Sequence, residues 1–450
     1  VRALKRIDPH RFPDTAELLV AGGDARIALV SGMNEYGCRP YPDPELAEFG
    51  SSTASTISES GFAAADALRA RLVHDFDDAA CDREFARIRA EFASLCGISD
   101  LAGLEILFSA SGTDVHRIAS RLTNPDLVVM VDPSETGRGV PEALSAEVPE
   151  TRSVRTRGDD AMPRDRLEID AEIERLVESC AQKGGKVLLV LTDVSKTGMI
   201  APSPACALEM KSRFPGAVEI LVDACQFRMS DATLKAYLAR DFMVALTGSK
   251  FLTGPTFSGA LLVPQSASGR KMPKTPSGRF SRDFGAEGNI GLLLRWEAAL
   301  AELRAFRRIP EIEVESFLSG FAGAISRRLE NDPNFEPLPV PRLDRHAVGP
   351  GSGWDRIQTI FPFRLKRGGS HLGLEEARVV HALLREDLSP VSKAAGLRCS
   401  LGQPVSCGAL RICSSARLVV EGVKNSDAVT GLALSALDKA ALLIHSLKSR

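Results

Sequence analysis

Six short apolar runs separated by longer amphipathic stretches constrain this chain more than any other feature. They are "LEILFS" (104–109), "LVVMVD" (127–132), "VLLVLTD" (187–193), "VEILVDA" (218–224), "FMVALTG" (242–248) and "GALLVP" (259–264). Each is too short for a packed helix and too uniformly apolar for a strand with one wet face. Strands covered on both faces belong to a mainly parallel sheet flanked by crossover helices. Between them "RLEIDAEIERLVESCAQKG" (166–184) places its apolar residues at roughly helical spacing, and Gly184 and Gly185 supply a stop. The expectation is an α/β domain of about 250 residues, a size within the usual range for one domain.

The texture changes on either side of this region. Upstream, "SGMNEYGCRPYPDPE" reads as an irregular arm, and "FGSSTASTISESGFAAADALRARLVHDFD" as a Ser/Thr-rich entry to a long helix. Downstream, a helix at "GLLLRWEAALAELRAF" (291–306) leads to strands at "IQTIFPFRL" and "ALRICSS" and a closing helix at "SDAVTGLALSALDKAALLIHSL". The expected division is an arm over 1–50, a large domain over 51–300 and a smaller α+β domain over 301–450.

Composition then narrows the function classes. A net charge of −2 gives no electrostatic case for nucleic acid or membrane partners. Nine cysteines without a C-x-x-C pair read as reduced thiols of a cytosolic protein. The first residues lack the apolar core of a signal peptide, and no stretch approaches eighteen uninterrupted apolar residues. A soluble, cytoplasmic protein is expected.

In open α/β sheets ligands bind outside the carboxyl ends of the strands, so the residues there carry the chemistry. After 104–109 comes "SASGTDVHR". Its small residues, Ser111, Gly112 and Thr113, would present backbone N–H groups and a helix N-terminus to a phosphate, or form a plain cap through Thr113 or Asp114. His116 follows one turn on, either structural or flat against an aromatic ring. After 218–222 comes "VDACQF": Asp223 at a buried strand end needs a cation or a donor, and a protonated ring nitrogen fits better than a metal, for which nearby ligands are lacking. In "ALTGSKFLTGPTFSGALLVP" (245–264) the single charge is Lys250. It is either a lysine snorkelling from a strand end or an amine neutralised by desolvation so that it can form a Schiff base. A phosphate cradle, an acid for a ring nitrogen and a buried amine together are what pyridoxal phosphate requires of a protein.

At these residues the chain resembles the fold-type I pyridoxal-phosphate enzymes, and within them the class V aminotransferase and cysteine desulfurase group, from about residue 50 to the C-terminus. "VDACQ" is similar to the group's Val-Asp-Ala-Ala-Gln, which implies Asp223 at the ring nitrogen and Gln226 at the ring hydroxyl. "TGSKFLTGPTFSGALLV" resembles the segment carrying the Schiff-base lysine, which implies Lys250 in that role and Thr247 and Ser249 as phosphate donors. "SASGTDVH" matches the phosphate turn, with His116 at the place of the residue that stacks on the ring. "ALRICSS" resembles the strand whose arginine grips the substrate carboxylate, making Arg411 that fork. The resemblance implies an enzyme acting on an α-amino acid through an external aldimine. Transamination comes first, then lyase or carbon–carbon bond-forming chemistry, with a non-catalytic relative of the fold as the reading of another class. A homodimer is implied as well.

Three departures accompany it. In "CSLGQPV" (399–405) Leu401 takes the place of the desulfurase cysteine, with Cys399 two residues away. In "FGAEGNIG" Glu287 stands where the group sends a Thr to the neighbouring subunit's phosphate. In "DVSKTGMIAP" Lys196 replaces an Asn. Lys196 and Arg138 at the proposed mouth point to an anionic substrate side chain or are solvated loop charges. Tyr36 and Arg39 of the arm either fold over the active site of their own or a partner subunit or belong to a plain Pro-stiffened arm.

Overall fold

The computed structural model describes residues 12–74, 78–137, 139–145, 148–265, 289–349 and 353–446. All six apolar runs form strands of one sheet. In chain order its strands are β1 (Glu105–Ser109), β2 (Leu127–Val131), β3 (Glu150–Val154), β4 (Val187–Asp193), β5 (Val218–Asp223), β6 (Met243–Thr247) and β7 (Gly259–Val263). Their spatial order is β1-β7-β6-β5-β4-β2-β3, with the two-residue strand Ile200–Ala201 paired to β4. Neighbours from β3 to β6 run parallel. β7 is antiparallel to both β6 and β1.

The uniform apolar character follows from this placement. Val129, Leu189, Ile220 and Val244 join the larger core on one face, while Val128, Met130, Leu188, Leu221 and Met243 join the core beneath α1 (Gly112–Thr123) on the other. Successive side chains point to opposite faces, so burying both faces leaves no polar position. β3 was not expected from the sequence. It lies at the sheet edge, and its residues Glu150, Arg152 and Ser153 are wet or half-wet.

The larger core is closed by α2 (Ile290–Arg307), which packs on the helices Glu59–His74 and Asp78–Leu95. Beyond it a four-stranded antiparallel sheet unites Phe335–Pro337, Ile360–Arg367, Ser370–His371 and Leu410–Cys413. Two helices follow, α3 (Ala416–Lys424) and Ser426–Ser446. The latter is apolar and long enough to cross a membrane by composition alone, but Ala433, Ala436, Leu437, Ala440, Leu443 and Ile444 lie in the core. Only the second of this pair was expected from the sequence. A short parallel pair, Ala47–Phe49 with Cys399–Leu401, ties the beginning of the chain to this smaller α+β layer.

Candidate active site

The register of β7 assembles the site. Gly259 lies opposite Thr247 on one side and Ser109 on the other, so the carboxyl ends of β6 and β1 flank it. A Cβ at position 259 would lie 2.6 Å from Ser109 Oγ and from Ser111 O, which requires glycine where the turn into α1 folds back. The N-cap of α1 is Ser111, whose hydroxyl accepts from Asp114 N and donates to Asp114 Oδ2, rather than Thr113 or Asp114. Gly112 is therefore the first helical residue. A Cβ there would lie 3.2 Å from both Cys225 Sγ and Thr247 Cγ2. The helix N-terminus thus sits directly over the ends of β5 and β6.

Asp223, the last residue of β5, is buried and accepts from Cys225 N at 3.1 Å. Its other oxygen lies 3.3 Å from His116 Nε2, close enough to pair as ions yet short of hydrogen-bond geometry. His116 is equally buried, and its Nδ1 lies 2.8 Å from Gly112 O. Desolvation alone would raise the Asp223 pKa, but His116, the Cys225 side chain and Lys250 outweigh it and hold the carboxyl well below the usual range. Desolvation would lower His116, and Asp223 outweighs it, leaving the imidazole above its ordinary value. His116 is thus tied to Asp223 by charge, an arrangement its place in the sequence did not disclose.

Lys250 stands in the β6–β7 connection. It is half-buried rather than buried, and among the described residues its amine forms no hydrogen bond or ion pair. Its backbone is held firmly: Lys250 O accepts from Thr253 N at 2.9 Å, and Phe251 N donates to Gln226 O. Thr253 and Phe257 in this connection, Phe227 beside Gln226 and Val194 near Lys196 all have positive φ without being glycine. Such strain costs of order 1–3 kcal/mol per residue and collects at functional sites. Thr247 Oγ1 donates to Cys225 O at 2.7 Å, so its proton does not face outward as the expected phosphate donor's would. Ser249 is buried, and its hydroxyl makes no hydrogen bond to the described residues.

Gln226 and Arg411 meet on the segment that reads in the sequence only as a Ser/Thr-rich entry to a helix. Gln226 Nε2 donates to Ser52 O at 3.1 Å. Arg411 Nη2 donates to Thr53 Oγ1 at 2.9 Å and to Gln403 O, and Nη1 lies 3.5 Å from Lys196 O. Arg411 is 3 % exposed, and among the described residues no carboxylate lies within ion-pairing distance. Its Nε and the nearby Ser52 Oγ are both buried without a hydrogen-bond partner among the described residues. Burial lowers the guanidinium pKa, because the charge is held out of water. Ser52 and Thr53 carry no local signature, because their partners lie 174 and 358 residues away.

Lys196 itself is half-buried, with Nζ 3.2 Å from Pro133 O. Tyr36 accepts from Arg26 Nη1 at 3.3 Å and packs against Phe257, while Asn34 Nδ2 donates to Thr256 Oγ1. The arm therefore lies on the β6–β7 connection of its own chain. Arg39 is exposed and lines a cleft there with Ser55 and Thr256. Arg138 and Glu287 lie outside the described residues. Cys399 and Leu401 are both buried in the strand paired with Ala47–Phe49, and burial pushes the Cys399 thiol up to about 12.

The donor set fits pyridoxal phosphate. Gly112 lets the helix N-terminus pack over the ends of β5 and β6, the buried carboxylate is held ionised beside the imidazole, and the Lys250 amine makes no hydrogen bond or ion pair among the described residues. Among the described residues no group of three potential metal ligands occurs.

No family model matches the chain, and no curated protein matches it in sequence. Solved structures match it in fold. The cysteine desulfurase CsdA (S-sulfonic acid) of Escherichia coli superposes with a TM-score of 0.55 at 16 % identity, over 89 % of this chain and 95 % of that one. A NifS-like protein of Rickettsia africae gives 0.56 at 12 % identity, over 89 % and 100 %. Histidinol-phosphate aminotransferase of Sinorhizobium meliloti, in complex with pyridoxal-5'-phosphate, gives 0.52 at 14 % identity, over 89 % and 91 %. The fold is that of the fold-type I pyridoxal-phosphate enzymes.

Proposed function

We propose that the protein is a pyridoxal-phosphate-dependent enzyme acting on an α-amino acid, with transamination as its reaction. One observation carries this reading: the amine of Lys250, with no hydrogen bond or ion pair among the described residues, shares a site with the ionised Asp223–His116 pair and the N-terminus of α1. When bound, the cofactor supplies an aldehyde for the lysine and a ring that draws electron density from the substrate's Cα.

The chain's own residues divide the remaining work. The backbone N–H groups at Gly112 and Thr113, with the Ser249 hydroxyl, hold the phosphate. Asp223 accepts the proton-bearing ring nitrogen, and its low pKa keeps it an acceptor. The amide hydrogen that Gln226 does not give to Ser52 O would serve the ring hydroxyl. Arg411 binds the α-carboxylate through its Nε, with Nη2 held in place by Thr53 and Gln403. Lys250 Nζ takes the proton from Cα of the amino donor and, in the return half-reaction, gives a proton to Cα of the amino acid formed from the 2-oxo acid. Lys196, next to Arg411, favours an anionic substrate side chain. A cytoplasmic C2 homodimer goes with this reading.

The buried, unreactive setting of Cys399 supports transfer of an amino group over sulfur transfer. Incubation with single amino acids and 2-oxoglutarate tests the reading. Glutamate formation supports it, with aspartate-like substrates preferred over neutral ones. Ammonia or CO2 without glutamate would assign a lyase instead.

A further inference from the structure

The strained turn after Lys250 is held from outside by one side chain. Thr253 has φ of 60°, and its N–H closes the turn on Lys250 O. Its carbonyl accepts from Arg417 Nη2 at 3.0 Å. The same nitrogen donates to Thr56 O at 3.1 Å and to Glu302 Oε1 at 2.9 Å, and Nη1 reaches Glu48 Oε2 at 3.1 Å. Glu48 in turn accepts from Thr56 N at 2.7 Å. One residue before Arg417, Ala416 N donates to Phe251 O. The start of α3 therefore grips the lysine turn twice, and it follows directly on the strand that carries Arg411. A non-glycine residue keeps a left-handed conformation only where its surroundings over-determine it, and here Arg417 supplies that determination.

We propose that Arg417 is a positioning residue for Lys250: by holding the Thr253 carbonyl together with residue 56, it locks the lysine turn to the element that presents Arg411. The proposal rests on the role given to Lys250 above, but the turn's rigidity can be measured without it. Two variants of the full-length protein are needed. Arg417→Lys keeps the charge and loses the planar fork. The triple variant Arg417→Met, Glu48→Gln, Glu302→Gln removes the fork without leaving the two carboxylates unpaired. Either variant decides the matter provided that the amides of α2 keep native protection.

The expected result is faster hydrogen exchange, by about tenfold or more, at the amides of Phe251 and Thr253, with those of β4 and β5 unchanged. In the cofactor-loaded protein kcat falls by about tenfold while KM for the amino acid stays within about twofold, because the Arg411 contacts are not touched. Native protection at 251 and 253 in a folded variant, or a rise in KM with kcat unchanged, would overturn the proposal. If Lys250 does not bind the cofactor, the kinetic arm fails and the exchange arm still reads the turn.

Discussion

Asp223 and His116 perturb each other more than either is perturbed by its sequence neighbours. The folded pKa of His116 is raised, so its contribution to stability is complete below about pH 6.5 and is lost as pH climbs through the folded value. The folded pKa of Asp223 is lowered, so its contribution is complete above about pH 4 and is lost as pH falls through the folded value. The pair therefore stabilises most between those limits. Replacing Asp223→Asn removes the charge that lifts the imidazole and leaves desolvation in command. The predicted outcome is a His116 pKa below the ordinary histidine value, read from the imidazole resonances of the cofactor-free protein. An unchanged titration would show that the two groups are not coupled. The sequence disclosed which residue types stand at these strand ends, because a lone Lys or Asp beside an apolar run is conspicuous. It could not disclose that His116 faces Asp223, since that contact depends on how far α1 folds back over Gly259.

The elements were legible where burial on two faces removed every polar position. β4, wholly apolar until Thr192, is buried at all seven residues, whereas the edge strand β3 reads "ETRSV" and gives no such signal. The short strand Cys399–Leu401 illustrates the other limit. Its sequence resembles a reactive-cysteine loop, yet pairing with Ala47–Phe49, some 350 residues away, makes it ordered interior structure. The register places Cys399 against Ala47 with full burial. At neutral pH its thiol is therefore predicted to resist alkylation by iodoacetamide in the native protein and to react only on unfolding. Peptide mapping after a timed native pulse measures this. Rapid native labelling of Cys399 would mean that the strand opens and that sulfur chemistry must be reconsidered.

For the whole molecule, the sheet is joined to the chain beyond it by buried cations rather than by apolar contact alone. Arg345 Nε donates to Asp193 Oδ2 at 2.7 Å at the end of β4, the Tyr237 hydroxyl donates to the same oxygen, and all three side chains are buried. Arg345→Met would leave the Asp193 carboxylate without its cation. The predicted loss is about 3–5 kcal/mol in urea unfolding. A loss under about 1 kcal/mol would show that the tyrosine and relaxation suffice. The neighbouring cation Arg228 is also fully buried and joins Ser51, Thr359 and Ser414 through their oxygens. These junctions explain what the sequence concealed about the site: Gln226 and Arg411 are set by Ser52 and Thr53, a segment readable only as a Ser/Thr-rich helix entry.

The proposed activity depends on covalent attachment of the cofactor at one lysine. Borohydride treatment of the purified, pyridoxal-phosphate-loaded protein, followed by peptide mass mapping, tests it directly. The predicted result is a single phosphopyridoxyl addition on the peptide containing Lys250, absent from the Lys250→Ala variant. An unmodified Lys250 peptide, or the same addition on another lysine, would contradict it.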